Sequence, residues 1–166
     1  GAAGVLVGFG GGASHTTADV MGVRVPMASA IADVAAARRD YLDESGGRYV
    51  HVIADGSMGR SGDIVKALAS HRIGNAREAL AMSEAAWRMV SEIPGASPDA
   101  AMVGSLFARA SDAPGRGAHW GAEAWHPHLP RGARHLMPTV GTLAEVLHGP
   151  SRSADGTMNV VGALRK

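Results

Sequence analysis

Apolar and polar positions alternate along this chain in short blocks separated by glycine-rich turns. Residues 4–8 (Gly-Val-Leu-Val-Gly) form a continuous apolar run that leads into more glycines, which predicts a buried parallel strand rather than a helix. Residues 9–17 (Phe-Gly-Gly-Gly-Ala-Ser-His-Thr-Thr) read as a loop. Pro26 is placed to open a helix over 27–44, because proline suits the first helical position. Ile31, Val34, Ala35 and Leu42 would face inward, and Gly46-Gly47 would end the helix. The neighbouring Arg38-Arg39 pair reads as a solvated face of that helix. Residues 49–54 (Tyr-Val-His-Val-Ile-Ala), followed by Asp55-Gly56, are the clearest strand, rich in β-branched residues and closed by a turn pair. Ser61 is a candidate N-cap for a helix over 63–69 with an acidic first turn.

Between 73 and 93, Ala76, Ala79, Leu80, Ala86, Trp87, Val90 and Ile93 recur at spacings of three and four. They predict an amphipathic helix stopped by Pro94-Gly95. A third apolar strand is predicted at 100–104 and a helix from 105 to 110. Residues 111–138 hold four histidines and two tryptophans without a clean period, and read as a long flap-like loop, a length that in compact domains marks function or mobility. A short helix at 142–147, a loop at 149–156 and a tail segment at 158–164 complete the chain. Strand and helix alternate three times, which defines an α/β fold with a parallel sheet. Three strands are too few to close a barrel on their own.

Composition narrows the chemistry. The 166 residues make one domain by length, with 46% hydrophobic and 19% charged residues, so a packed core rather than a disordered chain is expected. Cysteine is absent, which removes disulfides, thiolate metal sites and cysteine nucleophiles. The net charge of +1 sets up no field for nucleic acid or an anionic membrane. The apolar N-terminal stretch is too short and glycine-rich to span a bilayer and lacks the basic region of a signal peptide. It also lacks an initiator Met, so a processed chain or a fragment of something longer is expected; with no targeting or membrane segment visible, a cytoplasmic setting is the default expectation. Glycine is abundant, 23 of 166 residues against a usual ~7%.

Those glycines gather at the strand ends: Gly8 to Gly12, Gly56 to Gly62, and Gly104 before Ser105. Ligands of α/β folds sit at the C-terminal ends of strands, and glycine lets the backbone approach a phosphate closely. One such turn is ordinary; three at equivalent places point to a phosphate or nucleotide site. Asp55 could take hydrogen bonds from a ribose, or simply shape its turn. His15 could be a base or a ligand. His126-Pro127-His128 suggests metal, but no helical pair or acid cluster completes a site. Trp120 and Trp125 could stack a base or cover a core edge. No nucleotide P-loop, serine-hydrolase elbow or zinc-protease motif is present.

The run Tyr49-Val50-His51-Val52-Ile53-Ala54-Asp55-Gly56, with Ser61-Gly62-Asp63-Ile64-Val65-Lys66-Ala67 after it, resembles the IMP dehydrogenase/GMP reductase family, and within it the shorter IMP dehydrogenase-related branch. Gly104-Ser105, Ala113-Pro114-Gly115-Arg116-Gly117, His119-Trp120-Gly121, Leu129-Pro130-Arg131-Gly132 and Asn159-Val160-Val161-Gly162-Ala163-Leu164 extend the likeness in order. The resemblance implies a (β/α)8 barrel, of which this chain would supply about the last three βα units, with the flap at 111–138 and an extra helical insertion at 70–98. It implies an oxidoreductase of purine nucleotide (GMP) biosynthesis that oxidises IMP with NAD, or in the GMP reductase direction reduces GMP with NADPH.

By that resemblance, Asp55 holds the ribose hydroxyls, and Ser14, Gly56, Ser57, Gly104 and Ser105 bind the nucleotide and its phosphate. Gly8, Gly10 and Gly12 form a loop whose carbonyls bind a monovalent cation such as K+. Thr17 assists at the purine C2, and Arg116 and His119 lie where relatives place groups that activate water. The resemblance assigns no nicotinamide contacts. Three departures stand out: His15 occupies the place of the family's cysteine nucleophile, Gly11 replaces a proline, and 70–98 replaces a short connector. Imidazole is a poor substitute for the thiolate that forms the family's covalent intermediate. The sequence therefore allows an oxidoreductase segment, a nucleotide-binding module without turnover, or a barrel fragment that completes itself by self-association or with a missing barrel half.

Overall fold

A computed structural model describes residues 1–9, 21–70, 83, 85–86, 89, 95–120, 135–150 and 159–165. The elements run β1 (Gly4–Val7), α1 (Met27–Glu44), β2 (His51–Asp55), α2 (Ser61–Leu68), β3 (Ala100–Met102), α3 (Ser105–Ala108), β4 (Ala118–His119), β5 (His135–Leu136), α4 (Leu143–His148) and α5 (Val160–Leu164). β2 lies between β1 and β3 in a three-stranded sheet. β1 and β2 are parallel, with Val5 opposite Val52 and Val7 opposite Ala54. β4 and β5 form a separate antiparallel pair. The expected α/β order with parallel strands is present. The predicted helix at 73–93 falls almost wholly outside the described residues.

Two compact units divide the chain. The first comprises Gly1–Gly8, Val25–Ala54 and Lys66–Ala101; the second comprises Phe9–Arg24, Asp55–Val65 and Met102–Lys166. In the first unit α1 packs on β1. α1 forms because six of its 18 residues are alanine, the best helix former. Its Ile31, Ala35 and Arg38 recur at i, i+4 and i+7 and are all buried. Val7, Val52 and Ala54 supply the sheet's contribution to the core. Gly46 and Gly47, at φ 69° and 101°, take the left-handed conformations that end the helix, and the Gly47 N–H reaches the Leu42 carbonyl at 2.8 Å.

Several local expectations shift. Pro26 is the N-cap of α1 rather than its first helical residue. Ser61 is the first residue of α2 rather than its cap. β1 is not buried: only Val7 is, whereas Leu6 is 55% exposed. Strand alternation explains this. Val5 and Val7 share the face of Val52 and Ala54, while Leu6 pairs with Ile53 on the opposite face. No described element covers that face.

Arg38 overturns the reading of a solvated Arg38-Arg39 face. It is 4% exposed and holds the first unit together. Its Nη1 donates to Asp99 Oδ2 at 2.5 Å and Tyr49 Oη at 3.1 Å, and its Nη2 donates to the carbonyls of Gly95 at 2.8 Å and Ser97 at 2.6 Å. The guanidinium also lies 4.9 Å from the Tyr49 ring centroid. Asp99 in turn accepts from the Tyr49 hydroxyl and from the Val52 N–H at 2.8 Å. Gly95 presents its carbonyl to this cluster from a left-handed φ of +77°, a conformation that favours glycine.

This cluster makes stability depend on pH at both ends of the scale. Desolvation pushes the Asp99 carboxyl up, but hydrogen bonds from Tyr49 and Val52 and the Arg38 charge outweigh it and hold its pKa below the ordinary 3.8. Desolvation and the hydrogen bond to Asp99 raise the Tyr49 phenol above its ordinary 10.0, against the lowering effect of Arg38. The Asp99 contribution is therefore present above pH 3.8 and is lost as pH falls through its lower folded value. The Tyr49 contribution is present below pH 10.0 and is lost as pH rises through its higher folded value. Thermal melts should give a plateau between these limits, and Asp99→Asn should flatten the acid side.

In the second unit, residues 111–138 are not wholly loop, since β4 and β5 pair there, with Ala118 opposite Leu136 and His119 opposite His135. β4 contacts α3, and the Gly117 N–H donates to the Ala108 carbonyl at 2.9 Å. α4 opens on a capping box in which Thr142 and Glu145 satisfy each other's backbone N–H. α4 packs on α5, whose Asn159 cap accepts from the Gly162 N–H at 2.6 Å. No described helix is long and apolar enough to cross a membrane.

Candidate functional site

β2 ends at Asp55, and the chain turns at once. Gly56 and Ser57 take φ values of 108° and 61°, so two consecutive residues are left-handed, the second without the freedom of glycine. Met58, the next residue, is buried at 5% exposure. The turn then enters α2, where the Arg60 N–H donates to Asp63 Oδ2 at 2.9 Å and the Asp63 N–H to the Arg60 carbonyl at 3.0 Å. Asp55 is half-buried at the mouth of this turn.

β3 leads through Val103 into Gly104, the N-cap of α3, and Ser105 is the first helical residue. The two turns adjoin. A Cβ built on Gly59 would lie 3.9 Å from Ser105 Oγ and 4.0 Å from Asp63 Oδ2. His119 closes the group: a Cβ on Gly104 would meet its Cε1 at 3.1 Å and its Nε2 at 3.8 Å. The second unit thus gathers Asp55, Gly56, Ser57, Gly59, Gly104, Ser105 and His119 at the ends of strands. Chemically this offers backbone N–H donors and serine hydroxyls for an anion, a carboxylate for a diol, and an imidazole.

The other sequence-predicted residues fall elsewhere. Arg116 is exposed, takes a left-handed φ of 44°, and donates its N–H to the Ala113 carbonyl at 2.9 Å. No described contact joins its side chain to the two turns. Gly8 is exposed just past β1. Gly10, Gly12, Ser14, His15 and Thr17 lie outside the described residues, as do Trp125, His126 and His128. His135 is exposed in β5 and Trp120 is 38% exposed. Among the described residues no group of three or more His, Asp or Glu side chains could hold a metal ion. Sequence reasoning placed His119 only loosely in the flap. The available signal was the glycine before Ser105, which leaves space for an imbricated side chain.

Parallel strands alternating with helices, with an acid and glycine turns at the strand ends, place the chain in the α/β class. Comparison with known proteins makes the assignment specific. Residues 1–75 match the IMP dehydrogenase / GMP reductase domain. An uncharacterized oxidoreductase of Mycobacterium leprae is 46% identical over the whole chain, which covers 38% of that protein. The inosine-5'-monophosphate dehydrogenase of Aquifex aeolicus is 30% identical, aligned over 98% of this chain and 32% of the enzyme. The crystal structure of an IMP dehydrogenase/GMP reductase-like protein from Corynebacterium glutamicum superposes with a TM-score of 0.70 at 45% identity, covering 99% of this chain and 37% of that one. Residues 1–75 belong to the IMP dehydrogenase / GMP reductase domain, and the likeness to proteins that carry it runs the length of the chain. It spans little more than a third of the length of its fuller relatives.

Proposed function

We propose that this chain is the C-terminal part of a (β/α)8-barrel oxidoreductase of purine nucleotide biosynthesis, and that it binds a purine nucleoside monophosphate, IMP or GMP, at the turns after β2 and β3. The observation that carries this reading is the convergence of those two turns, with Gly59 facing Ser105 and Asp55 at the mouth. In it, the Gly56-Ser57 and Gly104-Ser105 turns bind the phosphate, and the Asp55 carboxylate accepts from both ribose hydroxyls. The insertion at 70–98 and the flap at 111–138 are elaborations of this segment, which works in a homo-oligomer or with the rest of the barrel.

NAD would supply the hydride acceptor and K+ would sit on the carbonyls of Gly8, Gly10 and Gly12. The described residues include none with an assigned nicotinamide contact and only one of the three glycines. His15, Thr17 and Arg116 are the proposed catalytic positions, and Ser14 a further nucleotide contact. The absence of cysteine from the chain favours binding without turnover, and on this reading His15 takes the nucleophile's place.

Calorimetric titration tests the proposal. The full chain should bind IMP or GMP, and Asp55→Ala should weaken binding about 10–100-fold, the value of hydrogen bonds to a charged acceptor. Equal affinity in both proteins would remove Asp55 from the site. No binding to the wild type would remove the proposal.

A further inference from the structure

We propose that His119 is a phosphate-contacting residue of this site, donating a hydrogen bond from its imidazole to a terminal phosphomonoester and so making the site selective for monophosphates. The inference rests on the nucleotide-binding reading above and adds to it a residue from the flap strand β4.

Three observations support it. First, the imidazole is packed against the turn itself: Cε1 and Nε2 lie 3.1 and 3.8 Å from where a Cβ would project from Gly104, so a methyl group there would press the ring back by a few tenths of an ångström. Second, the ring is carried on an anchored strand. His119 pairs with His135 across β4 and β5, and the strand's approach is fixed by Gly117 N–H to the Ala108 carbonyl and Ala118 N–H to the Gly115 carbonyl, each at 2.9 Å. Third, the site needs such a donor. The two turns bring two carboxylates, Asp55 and Asp63, to the neighbourhood of a dianion. The Arg60 main chain already occupies Asp63. A charge-assisted donor at the Gly104 turn offsets that repulsion, as neutral backbone donors alone do only in part. Ser105 Oγ, 3.9 Å from the Gly59 Cβ position, places the same turn against the Gly59 loop, so one phosphate could touch both turns and the ring.

The test measures IMP binding by calorimetry, and ribose 5-phosphate binding by competition against IMP, for the full chain and its His119→Ala, Gly104→Ala and double variants. His119→Ala should weaken IMP about tenfold and ribose 5-phosphate by the same factor. Gly104→Ala, whose methyl group displaces the ring, should weaken IMP severalfold in the wild type and have no further effect in the His119→Ala background. His119→Gln, which retains a donor of similar reach, should recover part of the loss and serves if His119→Ala melts early. A change under threefold in His119→Ala would overturn the inference and leave the nucleotide-binding reading standing. A loss for IMP without one for ribose 5-phosphate would assign His119 to the base and overturn it too. No IMP binding by the wild type would overturn both.

Discussion

Replacing Arg38 with alanine is expected to destabilise the chain by about 2–3 kcal/mol, the range for losing hydrogen bonds to a charged group. The effect has identifiable parts. The guanidinium is almost fully buried, and its two terminal nitrogens serve Asp99, Tyr49, Gly95 and Ser97. Alanine would leave the carbonyls of Val50, Gly95 and Ser97 without their donor and the partly exposed Asp99 without its cation. Arg38→Lys should recover only part of the loss, because an ammonium cannot present the planar fork that reaches an acid and two carbonyls together. Urea unfolding of the three proteins decides this. A change below 1 kcal/mol for Arg38→Ala would show that the cluster is not what fastens the 95–99 segment to α1 and β2.

Gly117→Ala is expected to cost about 2–4 kcal/mol, from a strained left-handed backbone and an overpacked contact acting together. Gly117 has φ +88°, and a Cβ there would lie 2.5 Å from the Met137 carbonyl oxygen. The same residue joins α3 to the hairpin: its N–H reaches Ala108, and its carbonyl accepts from the Met137 N–H at 2.9 Å. Alanine would therefore push β5 away from β4 and shift His119 off Gly104. Unfolding by urea reads the stability, and IMP titration should show a parallel loss of affinity. A neutral Gly117→Ala would mean that the β4–β5 pair tolerates the displacement.

Much of this fold was legible because its signals are local. The alanine-rich periodicity of α1 and the β-branched run of β2 each placed an element to within a residue or two. The misreadings share a cause, which is that tertiary partners are invisible to a local pattern. Arg38 looked solvated because it is charged, yet it sits at i+7 from Ile31 and i+3 from Ala35 on the buried stripe of α1. Its acceptors come from residues 11 to 61 positions away. β1 looked buried because it is apolar, but strand alternation sends Leu6 to a face that no described element covers. The two-residue strands β4 and β5 are too short for any period and exist through pairing alone. For the site, glycines at strand ends pointed to Asp55, Gly56, Ser57, Gly104 and Ser105. That the β2 and β3 turns adjoin, and that His119 covers Gly104, required the three-dimensional arrangement.

The most direct test of the nucleotide cradle is a titration of 15N-labelled chain with IMP, following backbone amide shifts residue by residue. The account predicts saturable shifts centred on Gly56, Ser57, Gly104 and Ser105, with His119 moving alongside them. Saturable shifts that leave these five residues unmoved, or no shifts at all, would contradict it.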